Sequence, residues 1–439
     1  MLDGLKSVII ENRLNKQFKQ LSKPDIEYVK KQIEKIKFKR LAVAKKHNFI
    51  KSIKHTALNS PYYRDKISEI VKDINYNNAL SKLPQLPFTT SKEVSDNSEI
   101  FLAIPKEDVA GVHFTYGTTG GKKTIYNSKK DLNMINFSYT LGFINCGLTT
   151  KDVVQIMYSF GIWGIATYIS NALSNIGILT LPIGNYCSFQ EQQYYMEKFN
   201  TTTMFGTPSY VYNLSKEINL PEKNKEHMKA ILVGGEGLPK HRREIIEQRL
   251  GGELFLNYGL NEFGGGIGSE CKAHNGYHIF TNTYHEIIDP KTGDPVEKEE
   301  YGELVLTSIS REAMPLIRYR TGDITREIEG ECDCGLRLPR IDYLKGRADD
   351  RVIIGTAEKY YPIVFDKLLD PIKEIKDYWI DVIRENDKDS ININVLTNKP
   401  SEDLRQTIIE KIYTNDSLRI DITTTKTVNE PNIIFQEEL

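Results

Sequence analysis

Neither sign of charge is in excess in this chain. Lys and Arg number 58 against 59 Asp and Glu over 439 residues, a net charge of −1, which removes any broad electrostatic pull toward nucleic acid. A small-molecule partner is the better expectation. Cysteine is scarce too, and five residues in so long a chain argue against a secreted disulfide scaffold. No cationic leader precedes an apolar run and a small-residue cleavage site, so the expected compartment is the reducing cytoplasm. Internal repeats and low-complexity tracts are also missing, which leaves an ordinary globular chain.

One stretch lacks charge altogether, from Val153 to Gln190. A membrane span is the lesser reading there, because Asn171, Ser174, Asn175, Gly177, Pro182 and Asn185 interrupt any long apolar helix. A buried strand, helix and strand is the expectation instead. The Lys-rich N-terminal segment has helical spacing and reads as a solvated helical face.

With 39% hydrophobic residues, the length allows more than one core, since single cores stop growing near roughly 250 to 300 residues. Strand-like runs at Val153–Met157 and Ile178–Leu181 alternate with helical stretches at Phe189–Phe199 and Lys240–Leu250. That alternation is an α/β signature. After Asp350 a shorter series follows: a helix near Ile363–Ile375, strands at Trp379–Arg384 and Ile391–Leu396, a helix at Glu402–Tyr413 and a strand at Ile420–Thr425. It reads as a separate α+β unit, with the turn-like Gly346-Arg347-Ala348-Asp349-Asp350 at the boundary. The expected architecture is a large multi-sheet α/β domain over residues 1–348 and a small α+β domain over 349–439.

Three segments carry chemistry. Thr115-Tyr116-Gly117-Thr118-Thr119-Gly120-Gly121-Lys122-Lys123-Thr124 follows the strand start Val112-His113-Phe114. Its glycines let the backbone approach an anion, and its hydroxyls and lysines supply donors and positive charge. The spacing fails the Walker A template, so an ordinary P-loop nucleotidase is not supported. Asn257-Tyr258-Gly259-Leu260-Asn261-Glu262-Phe263-Gly264-Gly265-Gly266 sets a carboxylate and an aromatic ring in a turn-rich stretch. The carboxylate suits the Mg²⁺ that accompanies ATP and the ring could pack on a base; the alternative is a surface carboxylate beside a structural turn. In Pro315-Leu316-Ile317-Arg318-Tyr319-Arg320-Thr321-Gly322-Asp323 a turn presents one Asp beside two guanidinium groups. That Asp could accept ribose hydroxyls or pair with Arg318 or Arg320.

These segments, with Gly346 to Asp350, occur in the order seen in the adenylate-forming superfamily of acyl-CoA synthetases, luciferases and adenylation domains. The chain most resembles the phenylacetate-CoA ligase family, with matching phrases at Ser60-Pro61-Tyr62-Tyr63, Leu86-Pro87-Phe88-Thr89-Thr90, Thr207-Pro208-Ser209-Tyr210 and Ala313 to Asp323. The resemblance runs from about Lys39 to Asp350 and weakens beyond. It implies an AMP-forming acid-thiol ligase. A carboxylic acid, aryl or arylacetic, would be activated by ATP to an acyl-adenylate with release of pyrophosphate and passed to the thiol of coenzyme A. No protein nucleophile is needed, and the chain's task is positioning and charge stabilisation. By the same resemblance Thr115, Gly117, Thr118, Thr119, Gly120 and Lys122 would hold the phosphates. Gly235, Glu236, Asn257, Tyr258 and Gly259 would line the adenine, Asp323 the ribose, and Arg347 would reach ribose or phosphate. Glu262 would ligate Mg²⁺, with Asn261 beside it, and Thr118, Glu262 and Arg347 are the catalytic candidates. The acyl pocket would fall on Phe160, Gly161, Ile162, Trp163, Gly206, Thr207 and Pro208, and the hinge on Asp349 and Asp350.

Three departures stand out. Asn261 replaces the usual Ser or Thr before the metal-binding Glu, and Gly355-Thr356-Ala357-Glu358-Lys359 replaces the Arg-Gly-Val stretch of the coenzyme A channel. The C-terminal Gly-Lys-Ala is missing from Thr427-Val428-Asn429-Glu430-Pro431-Asn432, with Lys426 the nearest cation. An adenylating enzyme serving a carrier-protein thiol or an amine is therefore one alternative. A nucleotide-binding protein that lost catalysis is another. Cys271, His278, Cys332 and Cys334 offer a full complement for a structural Zn²⁺, against the alternative of reduced free thiols. Some relatives share these positions. His274 and His285 compete as ligands. The expected cofactors are ATP, Mg²⁺, coenzyme A and structural zinc; a second copy of the chain is also an admissible partner.

Overall fold

The structure is a computed structural model that describes residues 38–116, 122–347, 352–354, 358–360, 365, 368–375, 377–385, 388–413 and 432–436. Its contacts divide the chain into two compact units. The larger draws on described residues up to 236 and on 247–321 and 325–343; the smaller draws on 237–246, 322–324 and those from 344 onward.

The larger unit begins with helices α1 (Phe38–Asn59) and α2 (Pro61–Lys72), with Pro61 at the first turn of α2, where a missing N–H costs nothing. The Lys-rich face of α1 covers an apolar one, since Phe49, Ile53 and Ala57 are buried. Strands β1 (Val109–Tyr116) and β2 (Lys122–Ser128) form an antiparallel hairpin, followed by α3 (Lys129–Asn145).

A parallel set comes next. It consists of β3 (Val153–Ile156), α4 (Ile165–Asn175), β4 (Leu179–Leu181), α5 (Phe189–Phe199), β5 (Thr203–Gly206), α6 (Pro208–Glu217), β6 (Ala230–Gly234), α7 (Lys240–Leu250) and β7 (Glu253–Leu260). The helix limits at Phe189–Phe199 and Lys240–Leu250 match the sequence reading, and the strands there fall short of it by one residue. The uncharged stretch is indeed strand, helix and strand. Among the described residues no helix is long and apolar enough to cross a membrane. Local signals fix these ends: Ser188 and Glu191 close a capping box on α5, which stops at Asn200 in the left-handed conformation. Thr207 caps α6 through the Tyr210 N–H, with Pro208 in its first turn.

Strands β8 (Gly265–Ser269), β9 (Tyr277–Ile279), β13 (Glu327–Ile328) and β14 (Arg340–Ile341) complete a nine-stranded sheet in the order β13-β14-β9-β8-β7-β6-β5-β3-β4. Val154, Ile156, Phe205, Leu232 and Phe255 of the sheet pack with Ala166, Ile169 and Leu173 of α4 and with Phe143 of α3. Its parallel part reads β4-β3-β5-β6-β7, so the chain order reverses between β3 and β5. In open α/β sheets ligands bind beyond the carboxyl ends of the strands at such a reversal.

Strands β10 (Thr283–Ile288) and β11 (Gly302–Ser308) pair antiparallel, and β12 (Tyr319–Thr325) begins and ends in the larger unit, with its Gly322–Ile324 counted in the smaller. The sequence suggested a turn around Asp323 and another at Gly346-Arg347. Both are strand instead: Asp323 and Ile324 pair with Arg347 and Gly346 of β15 (Gly346–Arg347), because the backbone of β12 offers bonding groups that a turn would leave unmet.

The smaller unit adds a hairpin of β16 (Val352–Ile354) and β17 (Glu358–Tyr360), and a sheet of β18 (Asp377–Glu385), β19 (Lys388–Leu396) and β20 (Asn432–Gln436) beside α8 (Glu402–Tyr413). Phe365, Leu368, Leu369, Ile393, Leu404 and Ile408 are in its core. The helix expected to Ile375 gives way by Asp370 to turns, with Pro371 following. The third strand is β20, parallel to β19, which the sequence did not suggest; the expected strand at 420–425 lies outside the described residues.

One anchor of the larger unit is Arg318, which is 4% exposed and held at φ 45°. Its guanidinium bonds both oxygens of Glu286 at 3.0 and 3.1 Å and the carbonyls of Pro84 and Leu86, and lies 4.0 Å from the Phe88 ring centre. Replacing Arg318 with Met would leave the largely buried Glu286 unpaired, at a cost of up to roughly 3 kcal/mol, the low end for breaking a buried pair. Urea unfolding should show the midpoint falling accordingly; an unchanged midpoint would mean that the pair is not an anchor.

Candidate active site

The loops that follow the parallel strands meet the sequence candidates. After β3 come Phe160, Gly161, Ile162 and Trp163, and after β5 come Thr207 and Pro208, with Gly206 ending that strand. β3 and β5 are adjacent and flank the order reversal. Gly161 has φ 140°, and Ile162 and Trp163 are each 41% exposed. A Cβ on Gly206 would approach Val211 to 2.9 Å, so the turn into α6 is tight. The acyl candidates thus follow the carboxyl ends of the two adjacent strands that flank the order reversal.

The loop after β3 is tied to β1. The Phe114 N–H donates to the Ile162 carbonyl at 2.9 Å. His113 meets Tyr168 edge to face at 4.7 Å, and a side chain at Gly164 would collide with that tyrosine. Burial, then the charge of Arg311, draws the His113 imidazole below its usual range. Thr115 is the next residue of the same strand. Gly117, Thr118, Thr119 and Gly120 lie outside the described residues.

Of the two lysines after the loop, Lys122 is exposed, whereas Lys123 is 4% exposed and turned inward. Lys123 Nζ donates to Glu262 Oε1 at 2.6 Å and to the Tyr319 hydroxyl at 3.0 Å, and that hydroxyl donates to the same Glu262 oxygen at 3.0 Å. The sequence reading chose Lys122 and passed over Lys123. The missed signal is strand alternation, for Lys123 shares a face with Ile125 and Asn127, both fully buried.

Glu262 lies in a 3-10 turn at the end of β7 and is 5% exposed, which excludes the surface-carboxylate reading. The preceding Asn257-Tyr258-Gly259 is not turn but strand, paired with β8 through a bulge at Tyr258/Gly259. A Cβ on Gly259 would come within 2.4 Å of the Gly265 carbonyl oxygen, so the strands approach too closely there for any side chain. Tyr258 is buried, its ring 6.0 Å from that of Tyr277. Asn257 donates weakly to the Val233 and Phe255 carbonyls. Gly235, after β6, has φ 95°, a conformation that favours glycine. Glu236 accepts from the amide and hydroxyl of Ser209 at 3.0 and 2.9 Å, linking the ends of β6 and β5. Arg318 and Arg320 are committed to Glu286 and Glu303. In the smaller unit Asp323, 6% exposed, is in register with Arg347. Asp349 and Asp350 lie outside the described residues, as do Gly355 to Ala357 and Lys426 to Pro431.

The Cys271, His278, Cys332 and Cys334 donor atoms all lie within 4.8 Å of one another. Cys271 and Cys332 sulfurs are 3.6 Å apart, and Cys334 Sγ is 3.4 Å from His278 Nε2. Tetrahedral arms of roughly 2.0–2.3 Å require edges of about 3.5–3.8 Å, so the donor set fits zinc. The other histidines are used elsewhere. His274 contacts Glu253 at 3.0 Å and Glu270 at 3.4 Å, and His285 faces Glu327 at 3.9 Å.

A family model described as AMP-binding enzyme matches residues 29–310. The phenylacetate-coenzyme A ligase of Pseudomonas putida is 30% identical over 351 residues, covering 78% of this chain and 79% of the relative. That of Thermus thermophilus is 29% identical over 347 residues, covering 77% and 78%. A solved structure of 2-hydroxyisobutyryl-CoA ligase in the postadenylation state aligns with a TM-score of 0.77 over 90% of this chain and 85% of that one, at 17% identity. The chain belongs to the AMP-binding enzyme family. Within it, its relatives are AMP-forming acid-CoA ligases of the phenylacetate type.

Proposed function

We propose that this chain activates an aryl or arylacetic acid with ATP to its acyl-adenylate and transfers the acyl group to coenzyme A. The observation that carries this reading is the meeting of β1, which leads into the Gly/Thr loop, with the loop after β3 at the order reversal of the parallel sheet. An acid held there lies beside the strand that leads into that loop, and adenylation needs carboxylate and α-phosphorus to be brought close. The exposed Ile162 and Trp163, with Phe160 beside them, suit an aromatic acid. The residue roles follow from family membership. Thr115, Gly117, Thr118, Thr119, Gly120 and Lys122 cradle the phosphates; Gly235, Glu236, Asn257, Tyr258 and Gly259 line the adenine. Asp323 takes the ribose, Arg347 reaches ribose or phosphate, and the domain over 349–439 turns on Asp349 and Asp350.

The buried carboxylate of Glu262 is a hard oxygen donor of the kind Mg²⁺ takes. A bound Mg²⁺ would supply charge neutralisation on the phosphates. Replacing Glu262 with Gln should lower ATP–pyrophosphate exchange by roughly two to three orders of magnitude, the loss expected for one preorganised charge contact. An exchange assay across aryl, arylacetic and aliphatic acids tests the whole reading. Aryl or arylacetic acids should support the fastest exchange, and added coenzyme A should be consumed as thioester. Exchange with aliphatic acids alone would overturn the substrate class, and consumption of an amine or carrier thiol in place of coenzyme A would overturn the acceptor.

Zinc in the Cys271, His278, Cys332 and Cys334 cluster serves the fold, since all four protein ligands close the site to substrate. Purified protein should contain one zinc per chain, and Cys332→Ser should lose it with a lower melting temperature. A metal-free preparation that melts as the zinc-replete one does would remove zinc from the account.

A further inference from the structure

Glu262 carries a cation already. Lys123 Nζ sits 2.6 Å from its Oε1, with side-chain exposures of only 5% and 6% for the two partners. A Mg²⁺ bound to this carboxylate would stand about 2.0–2.1 Å from an oxygen. Metal and ammonium on the same oxygen would then lie within about 5 Å of each other in a site that excludes water, where like charges repel strongly. Without either cation the carboxylate would be buried and uncompensated. One positive charge suits the position, and two compete for it.

We propose that Lys123 is the resident counter-ion of Glu262, filling the place of the metal while nucleotide is away, so that divalent metal enters only together with nucleotide. The inference rests on the reading of Glu262 as the metal-binding residue. Lys123 is well placed for exchange because it stands at the start of β2, one residue past the exposed Lys122 at the loop end. Its flexible stem can carry the ammonium off Glu262 without moving the strand. Tyr319, bonded to both partners, holds the carboxylate in place as the cations exchange. Lys123 is thus a positioning residue that acts through Glu262.

The test is Mn²⁺ binding, as a probe for Mg²⁺, measured by electron paramagnetic resonance on the full chain without nucleotide. Lys123→Met should bind Mn²⁺ at least about tenfold more tightly than the unsubstituted chain, because the competing charge is gone. The gain should vanish in the Lys123→Met, Glu262→Gln double variant, which also separates it from metal taken up by the cysteine cluster. Lys123→Arg, keeping the charge, should stay within about twofold of the unsubstituted chain. Unchanged Mn²⁺ affinity in Lys123→Met, or a gain that survives Glu262→Gln, overturns the proposal. Should Lys123→Met fail to fold, Tyr319→Phe removes one of the two acceptors of the ammonium and should show a smaller gain; no gain there is equally fatal. This readout involves no acid and no adenylate, so a failure of the ligase reading would appear only in the exchange assay.

Discussion

The buried ion pair of Lys123 and Glu262 ties the candidate site together. It joins the β1–β2 hairpin to the end of β7 and, through the Tyr319 hydroxyl, to the start of β12. These elements are distant in sequence: the paired side chains are 139 positions apart, and Lys123 and Tyr319 are 196 apart. Taking both charges out of water is expensive, and their attraction alone need not recover the cost. A third polar partner and a defined geometry make the arrangement tolerable. A fold that only needed stability could have filled the place with apolar side chains, so retaining charge there is consistent with a site that handles cations and anions.

The surrounding scaffold places Glu262 after the carboxyl end of β7, the same end of the parallel sheet that carries the candidate loops. Parallel strands deliver successive loops to one end of the sheet, and the reversal between β3 and β5 separates the loops there. The Phe114–Ile162 hydrogen bond and the Glu236–Ser209 bonds then lock neighbouring loops together. Arg318, strained and clasped by Glu286, anchors the chain immediately before Tyr319. Rigid supports of this kind matter because adenylation draws most of its acceleration from positioning and preorganised charge.

Much of this could be read in the chain. The helical stretch Phe189–Phe199 gave α5, and alternation of strand and helix gave the α/β class, because both signals are local. The Cys and His set was also legible, since the ligand types are few and soft donors suit zinc. Reading turns from Gly-rich composition failed at Asn257–Gly259 and Gly346-Arg347. Those glycines serve close strand pairing in the first case and an edge pairing in the second, and composition does not record which partner strand lies alongside. The β20 strand escaped for a similar reason, as its pairing with β19 crosses a long connection.

What the sequence by itself determined is the family and the inventory of chemistry: the Gly/Thr loop, the carboxylates Glu262 and Asp323, the arginines, and the four zinc-type donors. Those are properties of residue types in order, and order survives in one dimension. The tertiary structure alone decided which lysine of two adjacent ones turns inward, which of three candidate histidines joins the cysteines, and which acids satisfy Arg318 and Arg320. Each is a choice between chemically equivalent groups. Only burial and distance, set by strand pairing across many residues, break that equivalence.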